Sequence, residues 1–287
     1  MSDAESPKKA SDLPTRFAAA VVMIAVAVAA TYMGGWWFRL LAGAAAAIML
    51  IEWSDIHGVP RRWAYAGATL LVVALLAGAQ YLYPVGAADW LRDPASSDII
   101  AYFDDETLSP NWAAFGGIAV LALLLGLLSR RLAMIGGTLY VGIPTFAMLS
   151  LSWVWPILVF WVFVVTWATD ILAYFAGRAI GGPKLAPRVS PNKTWAGLAG
   201  GVAGAALFGW LMAGWFEMEP LFYWLGGPMG AIAQAGDLYE SWVKRRAGVK
   251  DSGTLLPGHG GVLDRLDGLL AVALVTTLLL MAGLWTE

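Results

Sequence analysis

Apolar stretches of about 17 to 25 residues follow one another along nearly the whole of this sequence, and each can cross a hydrocarbon core of about 30 Å as an α-helix. No other feature constrains the fold so tightly. Inside a bilayer the backbone must satisfy its own hydrogen bonds, so a chain of such stretches becomes a helical bundle. Only 13% of the 287 residues are charged, against roughly a quarter in a soluble domain. The fold class expected is all-α, a polytopic integral membrane protein.

About nine spans are expected, at about 17–36, 40–54, 63–83, 112–128, 133–150, 153–177, 194–215, 221–243 and 268–285. Several of the sixteen Trp residues (Trp36, Trp37, Trp63, Trp153, Trp195, Trp285) stand at the ends of these stretches, where amphipathic rings favour the interface. Residues 1–15 are polar and read as a disordered cytosolic tail, with the first span starting at Arg16 and residues 16–287 forming one membrane domain. With the N-terminus in the cytoplasm, only Arg39 and Arg92 of the eighteen Lys and Arg residues fall outside, which is the arrangement the positive-inside rule prefers. The longest outer loop, 84–111, is acidic (Asp89, Asp93, Asp98, Asp104, Asp105, Glu106) and has no catalytic spacing.

The absence of Cys excludes disulfides, thiolate nucleophiles and Cys-based metal sites. The informative residues are charges within or beside spans, because an ionisable group in the bilayer is costly unless it lines a cavity or binds something. In the eighth span Gln234, Asp237, Ser241 and Lys244 recur at helical spacing beside Glu240, a stripe roughly 15 Å long running to the cytoplasmic surface. Glu240 and Lys244 also have the spacing of a simple helix salt bridge, and Arg246 reads as a residue snorkelling to the headgroups.

The segment after it, VKDSGTLLPGHGGVLDRLDG, is too rich in Gly and polar residues to continue the helix. It packs Lys250, Asp251, His259, Asp264, Arg265 and Asp267 between two spans, and Gly258, Gly260 and Gly261 would leave N–H groups available to phosphate oxygens. The sixth span places Asp170 and Tyr174 one turn apart. Between the sixth and seventh spans, GGPKLAPRVSPNKT follows Arg178 and carries Lys184, Arg188 and Lys193. There Ser190 is expected to cap a helix begun by Pro191, so that free N–H groups, Lys193 and Thr194 face an anion. Acids converging with Lys, Arg and Gly-rich backbone are the set that holds magnesium and a polyphosphate, with a lipid reaching the site from the bilayer. Gly197, Gly201 and Gly200, Gly204 form two overlapping GxxxG pairs, a helix interface within one chain or between two.

Ser241, Lys244, Arg245, Lys250, Asp251, Gly253, Pro257, His259, Gly260, Gly261, Asp264, Arg265 and Asp267 stand in the register S-x-x-K-R-x4-K-D-x-G-x2-L-P-x-H-G-G-x2-D-R-x-D. This resembles the motif of the phosphatidate cytidylyltransferases, the CDP-diacylglycerol synthases. The D-x-x-A-Y-x-x-G run (Asp170, Ala173, Tyr174, Gly177) and the K-L-A-P-x-x-S-P-x-K-T run resemble the same family, with Ala196 standing where the family pattern leads one to expect Glu. The resemblance is specific over about 165–268, the expected catalytic part.

It implies attack by a phosphate oxygen of phosphatidic acid on the α-phosphorus of CTP, releasing pyrophosphate, at a two-metal centre of magnesium with a second ion, for which a monovalent cation is one candidate. The acids it assigns to metal are Asp237 and Asp264, with Asp251 as a third acid. It also implies that Lys193, Lys244, Arg245, Lys250 and Arg265 hold phosphates. Ser190, Thr194, Ser241, Gly260, Gly261, Asp170 and Tyr174 fall to substrate binding, and His259 to the catalytic group as a phosphate contact. The implied partners are CTP, phosphatidic acid and the bilayer of a bacterial-type inner membrane, with a homodimer as a further expectation and no nucleic acid. Competing readings are a CTP-dependent lipid kinase and, from a different class, an ion-coupled transporter using Asp170 and Asp237 as ion sites.

Overall fold

The structure is a computed structural model that describes residues 13–83, 110–255 and 260–283. The tail up to residue 12, the acidic loop 84–109, His259 with Pro257 and Gly258, and the last four residues lie outside them. Apolar sequence becomes helix throughout: α1 (Leu13–Met33), α2 (Gly35–Ile56), α3 (Arg61–Leu82), α4 (Pro110–Ser129), α5 (Leu132–Val154), α6 (Pro156–Ile180), α7 (Trp195–Trp215), α8 (Pro220–Arg246) and α9 (Leu263–Met281). Helix α1 begins before the expected start at Arg16.

Among the described residues six helices, α2 to α7, are long and apolar enough to cross a membrane. The apolar part of α1 is shorter, and α8 and α9 are interrupted by Gly, Pro and the polar residues of the candidate site. Large apolar side chains such as Leu70, Val73, Leu123, Leu124, Leu127, Phe208 and Leu211 face outward. A water-soluble protein would bury such a band, whereas lipid accepts it. The chain is a polytopic helical membrane protein.

One element departs from the all-α expectation. Strands β1 (Lys184–Ala186) and β2 (Ser190–Thr194) pair antiparallel between α6 and α7. Ser190 therefore does not cap a helix at Pro191: residues 190–194 extend along β1, and the helix begins at Trp195. Its cap is Thr194, whose Oγ1 accepts a hydrogen bond from Gly197 N at 3.0 Å.

The second half is knit by small residues. A Cβ added to Gly200 would lie 2.2 Å from Ala176 Cβ, and one added to Gly226 would lie 2.4 Å from Ala205 O. Both GxxxG pairs of α7 therefore face α6 of the same chain, and Gly226 and Gly230 bring α8 against α7. Gly236 and Gly268 do the same where α8 crosses α9. Close backbone approach at these crossings puts the polar residues of α6, α8 and α9 beside one another.

Candidate active site

The polar stripe of α8 forms as expected and gathers partners from three other elements. Lys193 Nζ, at the end of β2, contacts Asp237 Oδ2 at 2.6 Å and donates to Gln234 Oε1 at 2.9 Å. Ser241 Oγ donates to Asp237 Oδ1 at 3.2 Å. One turn on, Lys244 Nζ sits 2.5 Å from Glu240 Oε2 and 2.5 Å from Asp264 Oδ1. The Glu240–Lys244 pair expected from helix spacing is present, with Asp264 of α9 drawn into it.

Asp264 is the most completely held acid. Besides Lys244 it accepts from the backbone N–H groups of Ser252 (2.9 Å to Oδ2) and Gly261 (2.8 Å). The Gly261 N–H is thus committed to Asp264 instead of being left for a phosphate oxygen. Gly260 takes a φ of +84°, and a Cβ there would come within 2.5 Å of the Asp264 carboxylate, so the bend needs glycine on both counts. Asp251 lies beside this bend, since the same Cβ would sit 3.6 Å from Asp251 Cβ. Asp251 and Lys250 are both exposed.

From α6, Asp170 lies in the electrostatic field of Asp237, Lys193 and Arg265. Asp267 lies in that of Asp237, Glu240 and Asp170. Three direct ion pairs (Lys193–Asp237, Lys244–Glu240 and Lys244–Asp264) therefore form where β2, α8 and α9 come together, with Asp170, Asp267 and Arg265 in their electrostatic field. Every sequence-predicted site residue within the described part lies on α6, β2, α8 or α9 or on the loop after α8.

Their partners differ from expectation in several places. Arg245, expected on phosphate, donates to the carbonyls of Val189 (3.3 Å) and Val249 (2.9 Å) and so ties the hairpin turn to the end of α8. The Tyr174 hydroxyl accepts from Arg178 at 2.9 Å on an exposed face of α6. The Thr194 hydroxyl is used by the cap.

Glu52 is the functional candidate the sequence reading missed. It lies on α2, far from the motif, and is only 6% exposed. Its carboxylate accepts from Val262 N (2.9 Å), Leu263 N (2.8 Å) and Ser252 Oγ (3.2 Å). The signal was available, because Glu52 is an acid within an apolar span, the same criterion that singled out Asp170 and Asp237.

An apolar cavity of about 330 Å³ opens between α1, α2 and α9, lined by Val22, Ala42, Met49, Leu266 and Leu269 together with Arg265. It brings apolar space up to the same residue that faces the acid cluster. Among the described residues no three Asp, Glu or His side chains converge as a ready metal cage.

Residues 14–282 match the profile of the cytidylyltransferase family. A phosphatidate cytidylyltransferase of Brucella abortus biovar 1 (strain 9-941) is 58% identical over 118 residues, 39% of this chain and 42% of that protein. A protein of the same name from Pseudomonas aeruginosa is 42% identical over 163 residues (54% and 59%). Another from Haemophilus influenzae is 47% identical over 122 residues (40% and 42%). Each of these alignments spans less than two thirds of the relative's own length. With a match that runs from α1 to the end of α9, this chain belongs to the cytidylyltransferase family.

Proposed function

We propose that the chain transfers the cytidylyl group of CTP to phosphatidic acid, producing CDP-diacylglycerol and pyrophosphate for phospholipid synthesis. The observation that carries this reading is the set of ion pairs Lys193–Asp237, Lys244–Glu240 and Lys244–Asp264 within a bundle of lipid-facing helices, with Asp170, Asp267 and Arg265 in their field. A phosphate oxygen of the lipid attacks the α-phosphorus, the bond from that phosphorus to the bridging oxygen of the β-phosphate breaks, and pyrophosphate leaves. A phosphate monoester is largely ionised near neutral pH, so positioning and charge neutralisation do most of the work. Lys193, Lys244 and Arg265 neutralise phosphate oxygens, Lys250 extends that field from the loop, and the apolar cavity beside Arg265 accepts part of the lipid.

Asp237 and Asp264 fit a hard divalent cation. Each already holds a cation against a carboxylate oxygen, a lysine ammonium at 2.6 and 2.5 Å respectively. Magnesium is commonly held by one or two carboxylates plus substrate phosphates, so two acids suffice on the protein side. We assign magnesium to Asp237 and Asp264, with Asp251 at the rim and a monovalent ion as the second metal. When bound, magnesium would withdraw charge from the phosphates of CTP. His259, outside the described residues, is assigned a phosphate contact.

The proposed topology has nine spans, an inner-membrane location and the N-terminus and active site in the cytoplasm. Reporters placed after Lys9 and Glu287 would have to fall on opposite sides. A homodimer would have to form through surfaces other than the GxxxG faces, which are used within the chain.

The direct test gives purified protein, in phosphatidate-containing micelles, CTP labelled at the α-phosphorus. Label in a CDP-lipid together with released pyrophosphate supports the proposal. CDP with a phosphorylated lipid alcohol would establish the lipid kinase instead, and no turnover with cation-coupled uptake into vesicles would establish the transporter.

A further inference from the structure

Helix α9 has no side-chain cap of its own. Its N-cap residue is Val262, and the acid in its first turn, Asp264, is occupied by Lys244, Ser252 and Gly261. The first N–H groups of a helix still need acceptors. They receive them from a distant part of the chain, as Glu52 of α2 accepts from Val262 N and Leu263 N with one oxygen each.

Burying a carboxylate within membrane helices is costly, and a local Ser or Asp would cap α9 at far lower cost. What a local cap would not supply is a link between the loop and α2. Ser252 makes that link, since its N–H donates to Asp264 while its hydroxyl donates to Glu52. The enclosure is tight: a Cβ on Gly261 would lie 2.6 Å from both Glu52 oxygens, and one on Gly253 would lie 2.7 Å from Oε1. Two glycines of the motif are therefore explained by the space Glu52 requires.

We infer that Glu52 is a positioning residue for the cytidylyl transfer proposed above, fixing the loop after α8 and the start of α9 so that Asp264 is held against Lys244 at the proposed cation site. Glu52 touches no reacting atom. It acts through Ser252, Val262 and Leu263, while Lys193 rests on Asp237 and Lys244, besides Asp264, keeps Glu240 of its own helix as a partner.

The test compares purified Glu52→Gln, Glu52→Asp and Ser252→Ala with the unaltered protein, reading kcat, the KM for CTP and amide hydrogen exchange of residues 249–264. In Glu52→Gln an NH2 group faces a backbone N–H, two donors opposed. Its kcat is expected to fall ten- to a hundred-fold, the order of loss a displacement near 1 Å produces, with KM for CTP changed less than about two-fold since the lysines stay in place. Exchange at 249–264 should rise while α3 and α4 keep their protection. Glu52→Asp, which retains the charge, should recover part of the lost kcat.

Unaltered kcat or unaltered exchange at 249–264 in folded Glu52→Gln overturns the inference. So does an equal loss of protection in α3 and α4, which would mark general destabilisation. Should Glu52→Gln not fold, Ser252→Ala decides: lower kcat with faster local exchange supports the inference, and wild-type values for both overturn it. Absence of CDP-lipid synthesis in the unaltered protein would defeat the proposed activity, while the exchange measurements would still report on the anchoring by Glu52.

Discussion

Helices α1 to α5 and helices α6 to α9 use different packing chemistry. In the first set large side chains fill the interior, with Met49, Leu50, Leu71, Leu75 and Phe146 at most 1% exposed. The buried charges there are Arg39, which donates to Gln80 and the Tyr83 carbonyl, and Glu52, which is turned toward α9. Glycines of the first set (Gly67, Gly126, Gly137) receive large side chains, those of Met134, Ile135 and Trp53, whereas in the second set Gly177, Gly200, Gly226 and Gly236 meet backbone or a small residue of the neighbouring helix. Leucine packing tolerates small shifts by repacking, whereas helices touching through glycine have almost no slack. That is the construction to expect where carboxylates must hold their places to within about half an ångström.

The largest effect should come from the acids of the second set. Asp237→Asn and Asp264→Asn keep size and remove charge, so turnover should drop on the order of a hundred-fold or more with normal yield of folded protein. Steady-state kinetics alongside size-exclusion profiles check this, and near-normal turnover in both variants would break the contrast between a packing half and a chemical half.

A matched pair of substitutions sharpens the comparison next. Gly226→Leu drives a side chain into the Ala205 carbonyl and should prevent α7 and α8 from closing, with loss of folded protein. Leu71→Ala leaves a hole among large side chains, should cost about 2 to 5 kcal/mol of stability, and should preserve activity per folded molecule. Thermal unfolding in detergent separates the two, and equal tolerance at both positions would remove the distinction.

The smallest effect is expected at Thr194→Ala. It deletes one helix cap at the end of the strand carrying Lys193, costing about 1 kcal/mol. Turnover should fall only through the fraction of Lys193 displaced, and a loss as large as that of Asp237→Asn would mean that the hydroxyl contacts substrate.

Much of this was legible in the sequence because the bilayer makes strict demands. A run of twenty apolar residues has few fates, so each expected stretch falls on a helix among the described residues, with ends that agree to within about five positions, and six of those helices are long and apolar enough to span. Polar residues at helical spacing inside such runs marked the α8 stripe. The hairpin was not legible, since strands of three and five residues carry no alternating pattern and Ser-Pro-Asn-Lys-Thr has the composition of a helix start.

Nor could spacing reveal that Lys193 rests on Asp237, or that Glu52 reaches Leu263 across 211 positions. Pairings at that separation come from the bundle geometry. Glu52 was still visible as an isolated acid in an apolar run.

The lysine-on-carboxylate contacts of the site also bear on how the protein behaves without ligands. Proteins whose acids are left facing one another often fold only when an ion arrives and come apart when it is stripped away. Here Lys193 and Lys244 already lie against Asp237, Glu240 and Asp264, so the cluster carries much of its own counter-charge. A chelator should therefore stop the reaction and leave the bundle standing, with assembly of the protein and supply of its ions as separate events.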